Sequence, residues 1–163
     1  MNEAPSSNGP RWLIVALASG FGTGYAPVAS GTFGTLVGIP LAIALAPAGP
    51  WAWTLAAVLV TLGACWVAGR AEGVFGEKDS GKIVIDEIAG YLVSMAFLPA
   101  TAGHLALAFF LFRLFDVLKP PPARQWERTL PGGFGVVMDD IAAGVWANVA
   151  HRLVWVAGAW LAS

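Results

Sequence analysis

Two apolar runs, residues 35–47 with their flanks and residues 51–69, carry no charge over lengths close to the thickness of a bilayer. A helix needs about 20 mostly apolar residues to cross the hydrocarbon region. A soluble chain of 163 residues would have to hide both runs in one small domain, where surface is large relative to volume. Composition agrees: 57% of the residues are hydrophobic and 12% charged, against about 25% charged in ordinary soluble domains. The fold class expected is therefore all-α, an integral membrane helical bundle. It forms a single domain over residues 11–163, after a polar, disordered tail over residues 1–10. That tail has no basic region leading into an uninterrupted apolar core, so it does not read as a signal peptide.

Three further apolar runs carry their charges near one end. Residues 83–99 have Asp86 and Glu87 near the start, and residues 104–118 have Arg113 and Asp116 near the end. Residues 136–160 begin with Asp139 and Asp140 and hold His151 and Arg152 inside. The stretch 12–21 is too short to span and is expected as a short N-terminal interfacial helix. Four to five transmembrane helices result. The fifth span depends on Arg152, which at the bilayer centre costs about 2.5–3.5 kcal/mol on insertion scales. Either it snorkels outward or the last helix lies flat after Asn148.

The connectors orient the bundle. Those near residues 48–50 and 100–103 hold no charge, whereas residues 70–82 and 119–133 hold Arg70, Lys78, Lys82, Lys119, Arg124 and Arg128. A Lys/Arg excess marks cytoplasmic loops. With that orientation, residues 22–35, 79–87, 113–119 and 132–140 all meet at the cytoplasmic ends of the helices. With five spans the C-terminus lies outside.

Two acidic doublets recur at membrane-entry turns. Adjacent helix positions point about 100° apart, so Asp86 and Glu87 are not expected both to face one ligand squarely. Either doublet alone is explained by the favourable macrodipole at a helix start. Their recurrence beside Ala89, Gly90, Ala142, Ala143 and Gly144 suggests close helix packing around a shared ligand. Carboxylate oxygens suit a hard cation such as Mg2+. Arg113, Asp116 and Lys119 recur every three residues on one helix face. They form either a ladder that neutralises itself or a set that gives Asp116 to metal and the two cations to phosphate. The Gly-rich stretch 22–35 precedes a helix and offers backbone N–H groups to an anion, but it lacks the lysine of a nucleotide P-loop. His104 and His151 fall away from the acids and read as structural. Cys65, the only cysteine, excludes an intrachain disulfide and reads as a small apolar filler. The net charge of −1 argues against nucleic acid.

Four stretches carry a resemblance: residues 22–38 (GTGYAPVASGTFGTLVG), 79–90 (DSGKIVIDEIAG), 112–122 (FRLFDVLKPPP) and 132–148 (GGFGVVMDDIAAGVWAN). In that order they resemble the phosphatidylglycerophosphatase A family. The resemblance implies a magnesium-dependent phosphoric monoester hydrolase of the bacterial inner membrane, multi-pass, with its active site facing the cytoplasm. Such an enzyme would convert phosphatidylglycerophosphate to phosphatidylglycerol and phosphate, with the phospholipid substrate and the membrane as partners and no obligate protein partner. The acids at matching positions are Asp79, Asp86, Glu87, Asp116, Asp139 and Asp140, with Arg113 and Lys119 as basic partners. Asp86, Glu87, Asp116, Asp139 and Asp140 are the catalytic candidates, all but Asp116 also being candidate metal ligands. Arg113, Lys119, Gly31 and Thr32 are the candidates for substrate phosphate, and Asp79, Thr23 and Lys82 are secondary candidates. The chain departs from the family at Ser30-Gly31, where Pro-Gly is commoner, at Pro121, where an aromatic residue is usual, and at Val136-Val137-Met138. Alternatives are a phosphatase of another lipid or prenyl phosphate, or a cation transporter, whose acids would sit near the bilayer midplane. A metal-activated water is the expected nucleophile, with an aspartate that forms an aspartyl phosphate as the alternative.

Overall fold

The structure is a computed structural model that describes residues 10–161. Apart from Pro10, the stretch expected as a polar tail lies outside the described residues. Those residues form seven α-helices and no strand: α1 (Arg11–Ala18), α2 (Ser30–Leu45), α3 (Pro50–Phe75), α4 (Ile85–Ser94), α5 (Ala102–Leu118), α6 (Ala123–Thr129) and α7 (Gly133–Leu161). Short 3-10 turns at Thr23–Tyr25 and Ala46–Ala48 flank α2.

Two helical stretches, Ser30–Ala48 and Pro50–Phe75, are long and apolar enough to cross a membrane, at 19 and 26 residues. The 3-10 turn Ala46–Ala48 and Gly49 join α2 to α3. Pro50 opens α3 at the one turn where a missing N–H leaves no hydrogen bond unmade. Along α3, Trp51, Leu55, Leu59, Leu62 and Trp66 point outward, Trp51 with 85% of its surface exposed. Meanwhile Ser19, Thr35, Ser80, Ser94, Asp86, Asp139, Asp140, His104 and His151 are buried. A water-soluble protein distributes these residue types the other way round. This is the surface of a membrane-associated protein.

The run expected as a third span is shorter than its hydropathy suggested. Helix α4 has ten residues, about 15 Å of rise, half of a hydrocarbon core about 30 Å thick. A helix that stops inside a bundle must have its last carbonyls satisfied by other protein groups. Trp53 Nε1 donates to the Leu92 carbonyl at 3.3 Å, and Asn148 Nδ2 donates to the Ser94 and Ala96 carbonyls, both at 2.9 Å. Arg152 Nη2 adds a second donor to the Ala96 carbonyl at 3.0 Å, while its Nε donates to Asn148 Oδ1 at 2.9 Å. The arginine that looked costly in the last span thus caps α4, placing positive charge at the negative end of that helix. Helix α7, 29 residues long, runs unbroken through Asn148 to Leu161.

Helices α4 and α7 lie close because Gly144 faces the Gly90 carbonyl, and a Cβ on Gly144 would also come within 3.1 Å of Val93 Cβ. One apolar cluster, including Ala18, Ala64, Ala68, Ala89 and Val137, joins α1 and α3 to the starts of α4 and α7. A second, including Trp53, Tyr91, Leu92, Phe112 and Ala143, fills the other end. There too His104 Nδ1 and His151 Nε2 meet at 2.7 Å, and Trp155 packs on His104 with ring centres 4.0 Å apart. The starts of α2, α4 and α7 and the ends of α3 and α5 gather at the opposite end.

Candidate active site

Local bonds aim the first acidic doublet into the bundle. Ser30 Oγ donates to the Gly81 carbonyl and Val84 N donates to the Ala18 carbonyl, both at 2.8 Å. Asp79 N donates to Glu72 Oε1 at 3.0 Å. These contacts pin the segment before α4 to α1, α2 and α3, so the first turn of α4 enters the bundle rather than water.

Asp86 and Asp140 are then buried and Glu87 half-buried. One oxygen from each of Asp86, Glu87 and Asp140 lies within 4.8 Å of the other two. The expectation that neighbouring Asp86 and Glu87 cannot face one ligand is corrected here. The extra methylene of the glutamate lets its carboxylate swing back toward the shorter aspartate, while Asp140 arrives from α7.

Asp139, expected in the same group of ligands, has a different partner. Lys119 Nζ donates to Asp139 Oδ2 at 2.7 Å and to Glu127 Oε1 at 2.8 Å. Burial pulls the Lys119 ammonium toward lower pKa, but these bonds and the two negative charges outweigh it and hold the pKa above its usual value. Lys119 ends α5 with a left-handed backbone (φ 45°), which turns its side chain away from the Arg113–Asp116 pair. The three charges of that helix face therefore do not close into one ladder.

Arg113 Nη1 lies 2.6 Å from Asp116 Oδ2 and 3.9 Å from Glu87 Oε1, but neither contact is aligned as a hydrogen bond. Asp116 also faces Asp140 across the gap between α5 and α7. Two more buried oxygens, Glu87 Oε2 and Asp139 Oδ1, lack any hydrogen-bond partner. Gly31 closes the site from α2: a Cβ there would collide with Glu87 Oε1 and come within 2.9 Å of Arg113 Nη1. A larger residue there would push the carboxylate and guanidinium ends of this pair aside.

The remaining candidates lie around this centre. Thr32 sits partly exposed on the first turn of α2. Thr23 Oγ1 is occupied by the Ser19 and Gly20 carbonyls, at 3.2 and 3.0 Å. The Lys82 ammonium lies over the rings of Tyr25 and Phe75, 5.8 and 5.5 Å from their centres. Asp79 is exposed, yet enough protein surrounds its carboxyl that lost hydration raises its pKa. Lys119 opposes that rise, and Glu127 and Glu72 add to it. Glu127 was missed by sequence reasoning. It lies eight residues from Lys119, a spacing with no meaning until α6 folds back, and no sequence signal marks it.

Among the described residues, six carboxylates (Asp86, Glu87, Asp116, Glu127, Asp139 and Asp140) share two cations, Arg113 and Lys119. A phosphate dianion would be repelled from such a centre unless further positive charge were present.

The sequence profile of the family described as Phosphatidylglycerophosphatase A matches residues 16–155 of the chain. A Bacteroides thetaiotaomicron protein, provisionally named a phosphatidylinositol-3-phosphatase, is 37% identical over 91% of this chain and 98% of its own length. A Haemophilus influenzae protein named Phosphatidylglycerophosphatase A is 38% identical over 83% of this chain and 85% of its own length. The Escherichia coli protein of the same name is 36% identical over 79% of this chain and 76% of its own. No solved structure was found to match the chain.

Proposed function

Since the chain belongs to the phosphatidylglycerophosphatase A family of phosphoric monoester hydrolases, we propose that it removes the terminal phosphate of phosphatidylglycerophosphate, with magnesium, at the cytoplasmic face of the bacterial inner membrane. One observation carries this reading: carboxylates of Asp86, Glu87 and Asp140 meet within 4.8 Å, with Arg113 and Lys119 beside them. The donor set fits magnesium. It is all carboxylate oxygen, it is over-supplied with negative charge, and Glu87 Oε2 and Asp139 Oδ1 are buried without partners. Asp86, Glu87 and Asp140 would hold the ion, with Asp139 adjacent. Bound there, magnesium would supply Lewis acidity toward the phosphoryl oxygens and a more acidic water.

The protein's own groups divide the remaining work. Arg113 and Lys119 offset the charge spread over the equatorial oxygens of a loose phosphoryl-transfer transition state. Asp139, fixed through Oδ2 by Lys119, keeps Oδ1 free to accept a proton from an attacking water. Gly31 keeps the backbone of α2 close enough for its first turn to meet the headgroup. The acyl chains stay in lipid. In this reading α2, α3 and α7 cross the bilayer, while α4 enters it partway and α5 leads the chain back to the cytoplasmic side, so the C-terminus lies outside. The basic loops over residues 70–82 and 119–133 support that orientation.

The Bacteroides relative favours a second reading, in which the phosphate leaves an inositol ring. Both lipids carry a phosphomonoester on an alcohol that already bears a phosphodiester. The test is purified protein in neutral detergent, offered phosphatidylglycerophosphate, phosphatidylinositol 3-phosphate, phosphatidic acid and a prenyl diphosphate, with and without magnesium. The expected result is magnesium-dependent phosphate release, fastest from phosphatidylglycerophosphate. Full release in excess EDTA would rule out the metal-assisted reading, and a preference for another lipid would reassign the substrate.

A further inference from the structure

Arg113 and Lys119 stand against the site carboxylates and serve the phosphate that reacts, so cations for a second phosphate lie elsewhere. Arg124 and Arg128 stand four residues apart on α6, on one helical face, and neither makes an ion pair among the described residues. With Lys119 and Gln125 they line a cleft of about 310 Å³ that has apolar walls at Leu118 and Pro120 and no acidic residue. A larger neighbouring cleft of about 530 Å³ differs, since Asp79 and Glu127 there face Lys78 and Arg128. Only the smaller cleft is uniformly cationic. It has room for the equivalent of roughly ten waters, more than one phosphodiester with its glycerol needs.

We propose that this cleft binds the second phosphate of the substrate, the diester that joins the headgroup to diacylglycerol, and so makes Arg124 and Arg128 specificity-determining residues. The proposal rests on the functional reading above. Lys119 connects the two places, because its ammonium bonds Asp139 and Glu127 while its side chain forms a wall of the cleft. A lipid whose diester is gripped by two guanidinium groups presents its terminal monoester toward the carboxylates. Guanidinium suits this task because it pairs with phosphate oxygens through two parallel N–H bonds. Binding energy from the phosphate that does not react is thereby spent on placing the one that does. The apolar walls beside the end of α5 give the glycerol backbone a route back to the bilayer.

The experiment compares wild type with Arg128→Gln and with Arg124→Gln/Arg128→Gln, in neutral detergent with phosphatidylglycerophosphate as substrate. Arg128→Gln is the cleaner change, since Arg124 Nη2 also bonds the Leu118 carbonyl at 3.3 Å. Two inhibitors are added in turn: the deacylated headgroup, which holds both phosphates, and phosphatidic acid, which has a monoester and no diester. The expected result is a KM raised about tenfold or more with a smaller change in kcat, and an unchanged magnesium requirement. Inhibition by the deacylated headgroup should weaken by a similar factor, and inhibition by phosphatidic acid should not change. The double Arg→Lys variant, which keeps charge but loses the paired N–H geometry, should fall between. An unchanged KM in a wild type that turns over the lipid would overturn the cleft assignment alone. Equal weakening of both inhibitors would also overturn it, since the arginines would then be holding any anionic lipid or the free phosphate end. A wild type that releases no phosphate would instead overturn the functional reading.

Discussion

Lys119 is shared by Asp139 and Glu127, and that one shared ammonium redraws the candidate site. The acids were legible in the sequence because they recur in doublets at membrane-entry turns, a pattern that helix-start electrostatics explains once but not twice. Their division of labour was not legible. Whether Asp139 joins Asp140 or turns to a lysine depends on the left-handed turn that ends α5 and on where α6 then folds, and neither leaves a periodic trace. The amide variants Asp86→Asn, Glu87→Gln and Asp140→Asn keep shape and remove charge. Each should lower turnover by about two orders of magnitude or more while the thermal midpoint in detergent holds or rises, because crowded carboxylates trade stability for function. Glu127→Gln should lower turnover through Lys119, whereas Glu77→Gln, on the exposed loop after α3, should leave it normal. Were these acids only interfacial salt bridges, each change would shift stability by about 0–1 kcal/mol and spare turnover. Equal sensitivity at Glu77 would mean that loop charge, and no defined centre, explains the loss.

At the scale of the element, α4 is where hydropathy misled. Residues 95–99 (MAFLP) are as apolar as the helix before them, so composition cannot distinguish a helix that continues from one that turns. The stop is set by donors on α7, with Asn148 and Arg152 lying more than fifty residues further along the chain. The same contacts hold α4 at depth, and α4 carries Asp86 and Glu87 at its other end. Arg152→Leu separates this account from the hydropathy view. Insertion scales alone predict that removing a mid-span arginine helps by about 2.5–3.5 kcal/mol. The capping account predicts the reverse: the Ala96 carbonyl loses a donor, Asn148 loses its partner, and the thermal midpoint in detergent falls with activity. A stabilised, fully active variant would contradict it.

For the whole molecule, two charge-free runs were enough to name the class, and the outward-facing Trp and Leu residues of α3 agree with it. The gathering of five helix ends at one pole follows from where the polar stretches fall, whereas α6, inside a stretch read as a connector, does not. The count of crossings did not follow, because it depends on depth. Orientation is tested by single-cysteine labelling in a Cys65→Ala background. Cysteines at Glu77 and Gln125 should resist an impermeant reagent in intact cells and react after lysis, and one at Gly49 should react from outside. External labelling at either basic loop would remove the cytoplasmic site from the account.

The claim everything else depends on is that the carboxylate cluster is a divalent-cation site, and it is tested most directly without substrate. Purified protein in metal-free detergent is titrated with Mn2+, and free ion is followed by electron paramagnetic resonance. The account predicts saturable binding that magnesium displaces, that Asp86→Asn and Asp140→Asn abolish or weaken at least about tenfold, and that Glu77→Gln leaves intact. Binding of equal strength in all four proteins, or none at concentrations that support turnover, would contradict it.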